Sequence, residues 1–314
     1  MLKILFGGVL SFCIATPLVV GCSDEGSPTQ EIASDDNRPV VLTTFTILAD
    51  MASQVAGDRL QVRSITKPGA EIHGYEPSPK DVERAVDADL IIENGLGLER
   101  WARRFVSAAG DVPTVTLTEG MEPLLIDGDA YSGRPNPHAW MSPRRAQSYV
   151  DQIVEAFSRL DPEGVEIFKT NAEAYKAELQ RLDRELREIL TAIPEKQRVL
   201  VSCEGAFSYL AQDYGFDEAY LWPVNAESQI TPRRMARLIE RVKQDQIPAV
   251  FCETTVSDQP QREVARASGA QFGGNFYVDS LSKSDGPASS LLDLQRHNVK
   301  LIKKGLTPSA QKAS

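Results

Sequence analysis

From Pro39 onward, short apolar runs alternate with longer amphipathic segments. "VVLTTFT" (40–46), "QVRSIT" (61–66), "DLIIEN" (89–94) and "TVTL" (114–117) read as strands. Between them "ILADMASQVAG" and "SPKDVERAVDA" read as helices, the second opened by a Ser-Pro pair suited to an N-cap and first turn. The second half repeats the theme with "RVLVSCE" (198–204), "EAYLW" (218–222), "AVFCET" (249–254) and "NFYVD" (275–279) as strands. "AFSYLAQDYG", "TPRRMARLIERVKQD" and "QPQREVARASG" are its helices. Strand and helix in alternation predict an α/β protein whose parallel sheets are covered by helices.

One segment between the halves breaks the rhythm. Asp161-Pro162-Glu163 is a helix start and Pro194 a stop. Within it Phe168, Ala172, Tyr175, Leu179, Leu182, Leu186, Ile189 and Ile193 form one apolar stripe at spacings of three and four. A lone stripe flanked by two α/β units predicts a stiff helix lying across both lobes, with ligand space in the cleft between them.

The N-terminus adds an address. Lys3, an apolar run from Ile4 to Val20 and Gly21-Cys22 form a signal peptide that ends in a pattern resembling a bacterial lipobox, with Cys22 the lipidated residue. "SDEGSPTQEIASDDNR" then has the composition of a flexible tether. The expected organisation is signal peptide 1–21, tether 22–38, N-terminal lobe 39–160, linking helix 161–194, C-terminal lobe 195–305 and tail 306–314. The product is expected to be exported, anchored to a bacterial membrane, and facing the periplasm or the cell exterior. The chain carries a formal charge of −10 over 314 residues, which disfavours nucleic-acid binding, since that would need a basic stripe to neutralise phosphates.

Ligands of open α/β sheets gather beyond the carboxyl ends of strands. Four metal-competent side chains follow strand ends here: His73 after "QVRSIT", His138 in "RPNPHAWMSP", Glu204 ending "RVLVSCE" and Asp279 ending "NFYVD". Two neutral imidazoles and two carboxylates carry −2, which balances one divalent cation, and an oxygen-rich set suits Mn²⁺ or Fe²⁺ while Zn²⁺ remains competent. Each residue alone has a plainer account: a loop histidine at the surface, or a carboxylate capping a helix. His297, in the last helix, reads as a solvated or packed residue. Imidazole ligates only when neutral, so metal affinity should fall as pH drops through the histidine range.

The motifs taken together are more specific. "HGYEPSPKD", "ADLIIENGLGLE", "NPHAWMSP", "VSCEGAFSYLAQDYG", "FYVDSLS" and "DGPASSLLDLQRHN" occur in this order from about residue 40 to 305. The chain thereby resembles the solute-binding proteins of bacterial manganese, iron and zinc ABC transporters. The resemblance implies two (β/α) lobes joined by a rigid helix, ligands at His73, His138, Glu204 and Asp279, ABC permease subunits as partners, and a monomer that carries one divalent ion without chemistry on it. Zinc-type members often carry a long loop rich in histidine and acids before the second ligand histidine. "MEPLLIDGDAYSGRPNPH" is short and holds only His138, which favours the manganese or iron branch.

Two other functions compete: a metal-dependent enzyme, and a surface adhesin with a structural metal. No HExxH or GxSxG occurs, and Gly95-Leu96-Gly97 is only a fragment of a nucleotide-binding fingerprint. Four cysteines complete the inventory. Cys13 leaves with the signal peptide and Cys22 takes lipid, so Cys203 and Cys252 remain, each near a strand end in an oxidising compartment. They are expected to form a disulfide.

Overall fold

The computed structural model describes residues 37–110, 112–127, 131–224 and 230–307. The signal peptide, Cys22, nearly all of the tether and most of the tail lie outside the described residues. In the first half β1 (Val40–Thr43), β2 (Gln61–Ser64), β3 (Leu90–Glu93) and β4 (Thr114–Thr116) form an all-parallel sheet in the order β2-β1-β3-β4. The strands are connected by α1 (Thr46–Ala56), α2 (Pro79–Val86) and α3 (Ala102–Ala109). β1 stops three residues before the end of its apolar run because Thr46 already begins α1.

In the second half β5 (Val199–Glu204) pairs with β6 (Asp217–Trp222), and β7 (Ala249–Glu253) pairs with β8 (Gln271–Phe276), again in parallel. Every residue of β5 and β7 is buried, so these strands read as unbroken apolar runs instead of alternating ones. Cys203 of β5 and Cys252 of β7 are joined by a disulfide with Cα atoms 4.8 Å apart, which ties the two ladders together. The ladder of β7 and β8 shifts register between Val250 and Phe251. A side chain at Gly273, beside this shift, would place its Cβ 2.2 Å from the Phe251 ring, so only glycine fits there. The covering helices are α6 (Ser208–Tyr214), α7 (Pro232–Gln244), α8 (Gln259–Ser268) and α9 (Leu291–Leu306). α6 and α8 are each followed by a left-handed glycine, Gly215 and Gly269.

α4 (Pro143–Leu160) leads into α5 (Val165–Thr191), the long helix. Its 27 residues span about 40 Å. It starts later than the sequence predicts because Pro162–Gly164 form a separate 3-10 turn. The buried stripe is Phe168, Ala172, Tyr175, Leu179, Leu182, Leu186 and Leu190, so Leu190 takes the place expected of Ile189, which is only half-buried. Burial of each larger side chain contributes roughly 1.5–3 kcal/mol, which makes this stripe the main cause of the helix's position. The stripe packs on α1 and α4 from the first half and on α6 and α9 from the second. Polar contacts reinforce both ends. Arg59 forks onto Asp161 through two bonds of 2.8 Å just before α5, and the Tyr214 hydroxyl donates to Asp183 at 2.9 Å. No helix among the described residues is long and apolar enough to cross a membrane.

Candidate metal centre

The rigidity of "IHGYEPSPKD" comes from two local devices. Both oxygens of Glu71 accept backbone N–H bonds of 2.6 Å, one from His73 and one from Gly74, which fixes the turn that carries the first histidine. Ser78 and Asp81 then form a reciprocal capping box at the start of α2, and the Tyr75 hydroxyl donates to the same carboxylate at 3.0 Å. Burial pushes Asp81 up, but the bonds from Ser78, Arg84 and Tyr75 prevail and hold it at about 2. Trp101 donates its indole N–H to the Ile72 carbonyl at 2.8 Å, holding the residue before His73 from a different element.

His138 is fully buried and is oriented by Asn136. The Asn136 Nδ2 donates to the Gly205 carbonyl at 2.7 Å and to Ser208 Oγ at 3.0 Å, so its Oδ1 is the acceptor. Oδ1 lies 3.0 Å from the His138 backbone nitrogen and 2.9 Å from its Nδ1. The proton of His138 therefore sits on Nδ1, and Nε2 faces the site with its lone pair. Because Gly205 follows Glu204, this one amide ties the second histidine to the strand end that bears the glutamate. A Cβ at Gly205 would stand 2.8 Å from the Pro223 carbonyl, so the close approach of backbones there requires glycine. Asn136→Ala is expected to weaken metal binding about 10–100-fold while one ion still binds per chain, as measured by calorimetric titration.

Asp279 lies beyond the strand that the sequence predicts it to end. β8 stops at Phe276 because the backbone of Tyr277 turns to α9: its N–H donates to Asn298 Oδ1 at 3.0 Å, and its carbonyl accepts from Asn298 Nδ2 at 2.6 Å. The segment that follows is held by the first half of the chain. Trp140 donates to the Val278 carbonyl at 3.0 Å, Gly69 N–H donates to Ser280 Oγ at 2.7 Å, and Leu281 N–H donates to Thr46 Oγ1 at 2.9 Å. Asp279 is thus bracketed on both sides by contacts with the first half of the chain.

The structure brings His73, His138, Glu204 and Asp279 together, with one donor atom from each within 4.8 Å of the others. His73 Nε2 is 3.3 Å from His138 Nε2, 3.2 Å from Glu204 Oε1 and 3.7 Å from Asp279 Oδ2. His138 Nε2 is 3.9 Å from Glu204 Oε1 and 3.6 Å from Asp279 Oδ1. Donors held about 2.1 Å from a shared ion in tetrahedral array stand about 3.4 Å apart, so these separations match a common centre. Both Asp279 oxygens are buried without a hydrogen-bond partner. Burial disfavours a charged His73, but the Glu204 and Asp279 carboxylates overcome it and raise the imidazolium to about 9. His297 lies elsewhere, its ring edge-on to Tyr277 at 5.3 Å.

Several supporting residues are invisible to a search for ligand types. Glu253 is fully buried beside the site, with its Oε1 3.4 Å from the Glu204 backbone nitrogen. Burial and the nearby Glu204 carboxylate raise its carboxyl far above the usual range. The one signal for it in the sequence is the repeated Cys-Glu at the ends of β5 and β7. Glu99 is also buried and accepts from Thr44 Oγ1 and Asn94 N–H, both at 2.7 Å, while Asn94 Nδ2 donates to the Pro137 carbonyl just before His138. Burial pushes the Glu99 carboxyl up to about 7 against those bonds.

Parallel sheets in both halves of the chain pack with one long helix around a buried N₂O₂ donor set, an arrangement competent to hold a divalent metal ion. The family described as zinc-uptake complex component A, periplasmic, matches residues 41–305. The chain belongs to this family of metal-binding substrate-binding proteins of ABC transporters. It is 49% identical over 265 residues to the iron-binding protein YfeA of Yersinia pestis, covering 84% of this chain and 85% of that one. It is 35% identical to the manganese-binding lipoprotein MntA of Halalkalibacterium halodurans, covering 98% and 100%. Among solved structures, a manganese-bound variant of the periplasmic metal-binding protein from Candidatus Liberibacter asiaticus superposes with a TM-score of 0.81. That match has 35% identity and covers 86% of this chain and all of the other.

Proposed function

We propose that this chain captures one divalent metal ion, manganese first and iron or zinc as the other candidates, and hands it to an ABC permease without performing chemistry on it. His73, His138, Glu204 and Asp279 are the ligands in this reading. The observation that carries it is Asp279: its Oδ1 faces His138, its Oδ2 faces His73, and neither oxygen has another partner. A carboxylate presented through both oxygens raises the coordination number above four, which suits Mn²⁺ or Fe²⁺ better than a closed tetrahedral zinc site. The relatives' names are divided among the three metals, and the short segment before His138 weighs on the manganese and iron side. In the same reading residues 39–160 and 195–305 are the lobes, residues 161–194 link them, and the monomer is exported and held at the membrane through Cys22. Metal analysis of chain purified without chelators, followed by competitive titration with Mn²⁺, Fe²⁺ and Zn²⁺, tests the metal. Zinc retained when zinc is scarce and manganese and iron are in large excess would overturn the preference.

The charged state of His73 sets the expected pH dependence. With the metal-free imidazolium held at about 9, each ion must displace a proton from it throughout the neutral range. Proton competition thus begins well above the ordinary histidine range that the sequence predicts. Affinity should rise about tenfold per pH unit between pH 6.5 and 8.5, with about one proton released per ion. For the metal-free fold the sign is opposite. The raised His73 contributes stability that is complete below its ordinary value of 6.5 and is lost as pH rises through about 9. Titrations at three pH values in matched buffers check this, and a flat affinity would count against His73 as a ligand.

A further inference from the structure

A ridge of three arginines stands beside the site. Arg100, Arg103 and Arg104 are exposed at the start of α3, and among the described residues their guanidinium groups have no ion pair, hydrogen bond or ring contact. Elsewhere arginines are mostly engaged: Arg59 with Asp161, Arg145 with Asp213 and Arg262 with Asp258. Three neighbouring unpaired cations are notable in a chain of net charge −10. Their like charges stand close together around the start of α3, so an anion bound there is favoured.

The ridge borders a cavity of about 670 Å³, lined by Arg100 and Arg104, by the aromatic rings of Tyr75, Trp101 and Phe105, and by His73 itself. Tyr75 packs against Trp101 with tilted rings whose centroids are 5.2 Å apart, and Trp101 meets Phe105 edge-on at 5.6 Å. A second cavity of about 450 Å³ is lined by all three arginines and also by Glu93 and Glu99. Aromatic walls with arginine at the rim match the make-up of protein-binding hot spots, and arginine forks are shaped for carboxylates.

We propose that this concave face docks an acidic, partly apolar segment of the permease, so that the partner seats against the loop carrying His73. The proposal rests on the transport reading above and names the surface through which it operates. A concave aromatic pocket favours a protein segment over an anionic lipid surface, which needs only exposed charge. Because Trp101 also holds Ile72, a partner pressing on this ring would reach the His73 turn directly.

The test uses the full chain and its cognate permease complex in vesicles of neutral phosphatidylcholine, with protein-free phosphatidylcholine and phosphatidylglycerol vesicles alongside. The variant carries Arg100→Gln, Arg103→Gln and Arg104→Gln, and manganese titration is run on every sample. We expect the variant to bind permease vesicles at least tenfold more weakly than the parent while its metal affinity and stoichiometry stay unchanged. Binding of the parent should also weaken as salt is raised. Equal binding of parent and variant overturns the proposal. So does a loss that appears equally on protein-free phosphatidylglycerol vesicles, which would make the ridge a lipid contact. Failure of the parent to bind metal would instead sink the transport reading and is seen in the titration alone.

Discussion

Asp279→Ala lowers divalent-metal affinity by about a hundredfold to a thousandfold, the largest effect expected of any single substitution in this chain. Structural four-ligand zinc sites supply about 10–16 kcal/mol, and on that scale one ligand accounts for roughly a quarter. Asp279 is singled out because both of its oxygens face the imidazoles and have no other partner. Its removal also leaves His73 with Glu204 as the only facing ligand carboxylate, so the His73 imidazolium should titrate at lower pH. His297→Ala, remote from the centre, should leave binding unchanged. Calorimetric titration of both variants beside the parent decides the matter, and parental affinity in Asp279→Ala would remove the residue from the ligand set.

Replacing both Cys203 and Cys252 by alanine is expected to cost about 4 kcal/mol of stability. The bond closes a loop of 49 residues, and closure of a loop that size removes about this much free energy from the unfolded ensemble. For a chain this long the thermal midpoint should fall by about 6–8 °C. Both sulfurs are fully buried, so mild reductant without denaturant should leave the protein and its metal affinity as they were. Denatured, non-reduced mature chain should show no free thiol. The double variant should also bind metal more weakly, because each cysteine precedes a buried glutamate and Glu253 faces the backbone of Glu204. Parental affinity in the stable fraction of the double variant would leave the bond with a purely structural role.

Much of this protein is written in local patterns. Strand and helix alternation, the apolar stripe from Phe168 onward, the capping box at Ser78 and the four ligand-type residues beyond strand ends all follow from short-range chemistry that a single chain displays. Periodicity reads burial directly, so the α/β class and the linking helix emerge from it, and the order of motifs points to the metal centre. Other features arise from groups far apart in the chain that satisfy one another. Asn136 carries no ligand signature, and its role exists only because Gly205, Ser208 and His138 meet around it. Asn298, on α9, takes the backbone bonds of Tyr277, which ends β8 early and moves Asp279 off the strand. Leu190 replaces Ile189 in the stripe because the angular position of a side chain on a long helix is settled by the helices packed against it. The height of the His73 pKa likewise depends on its distances to Glu204 and Asp279, which lie far off in sequence. Propensity and pattern are properties of neighbours in sequence, whereas hydrogen-bond satisfaction and electrostatics in a buried site depend on neighbours in space.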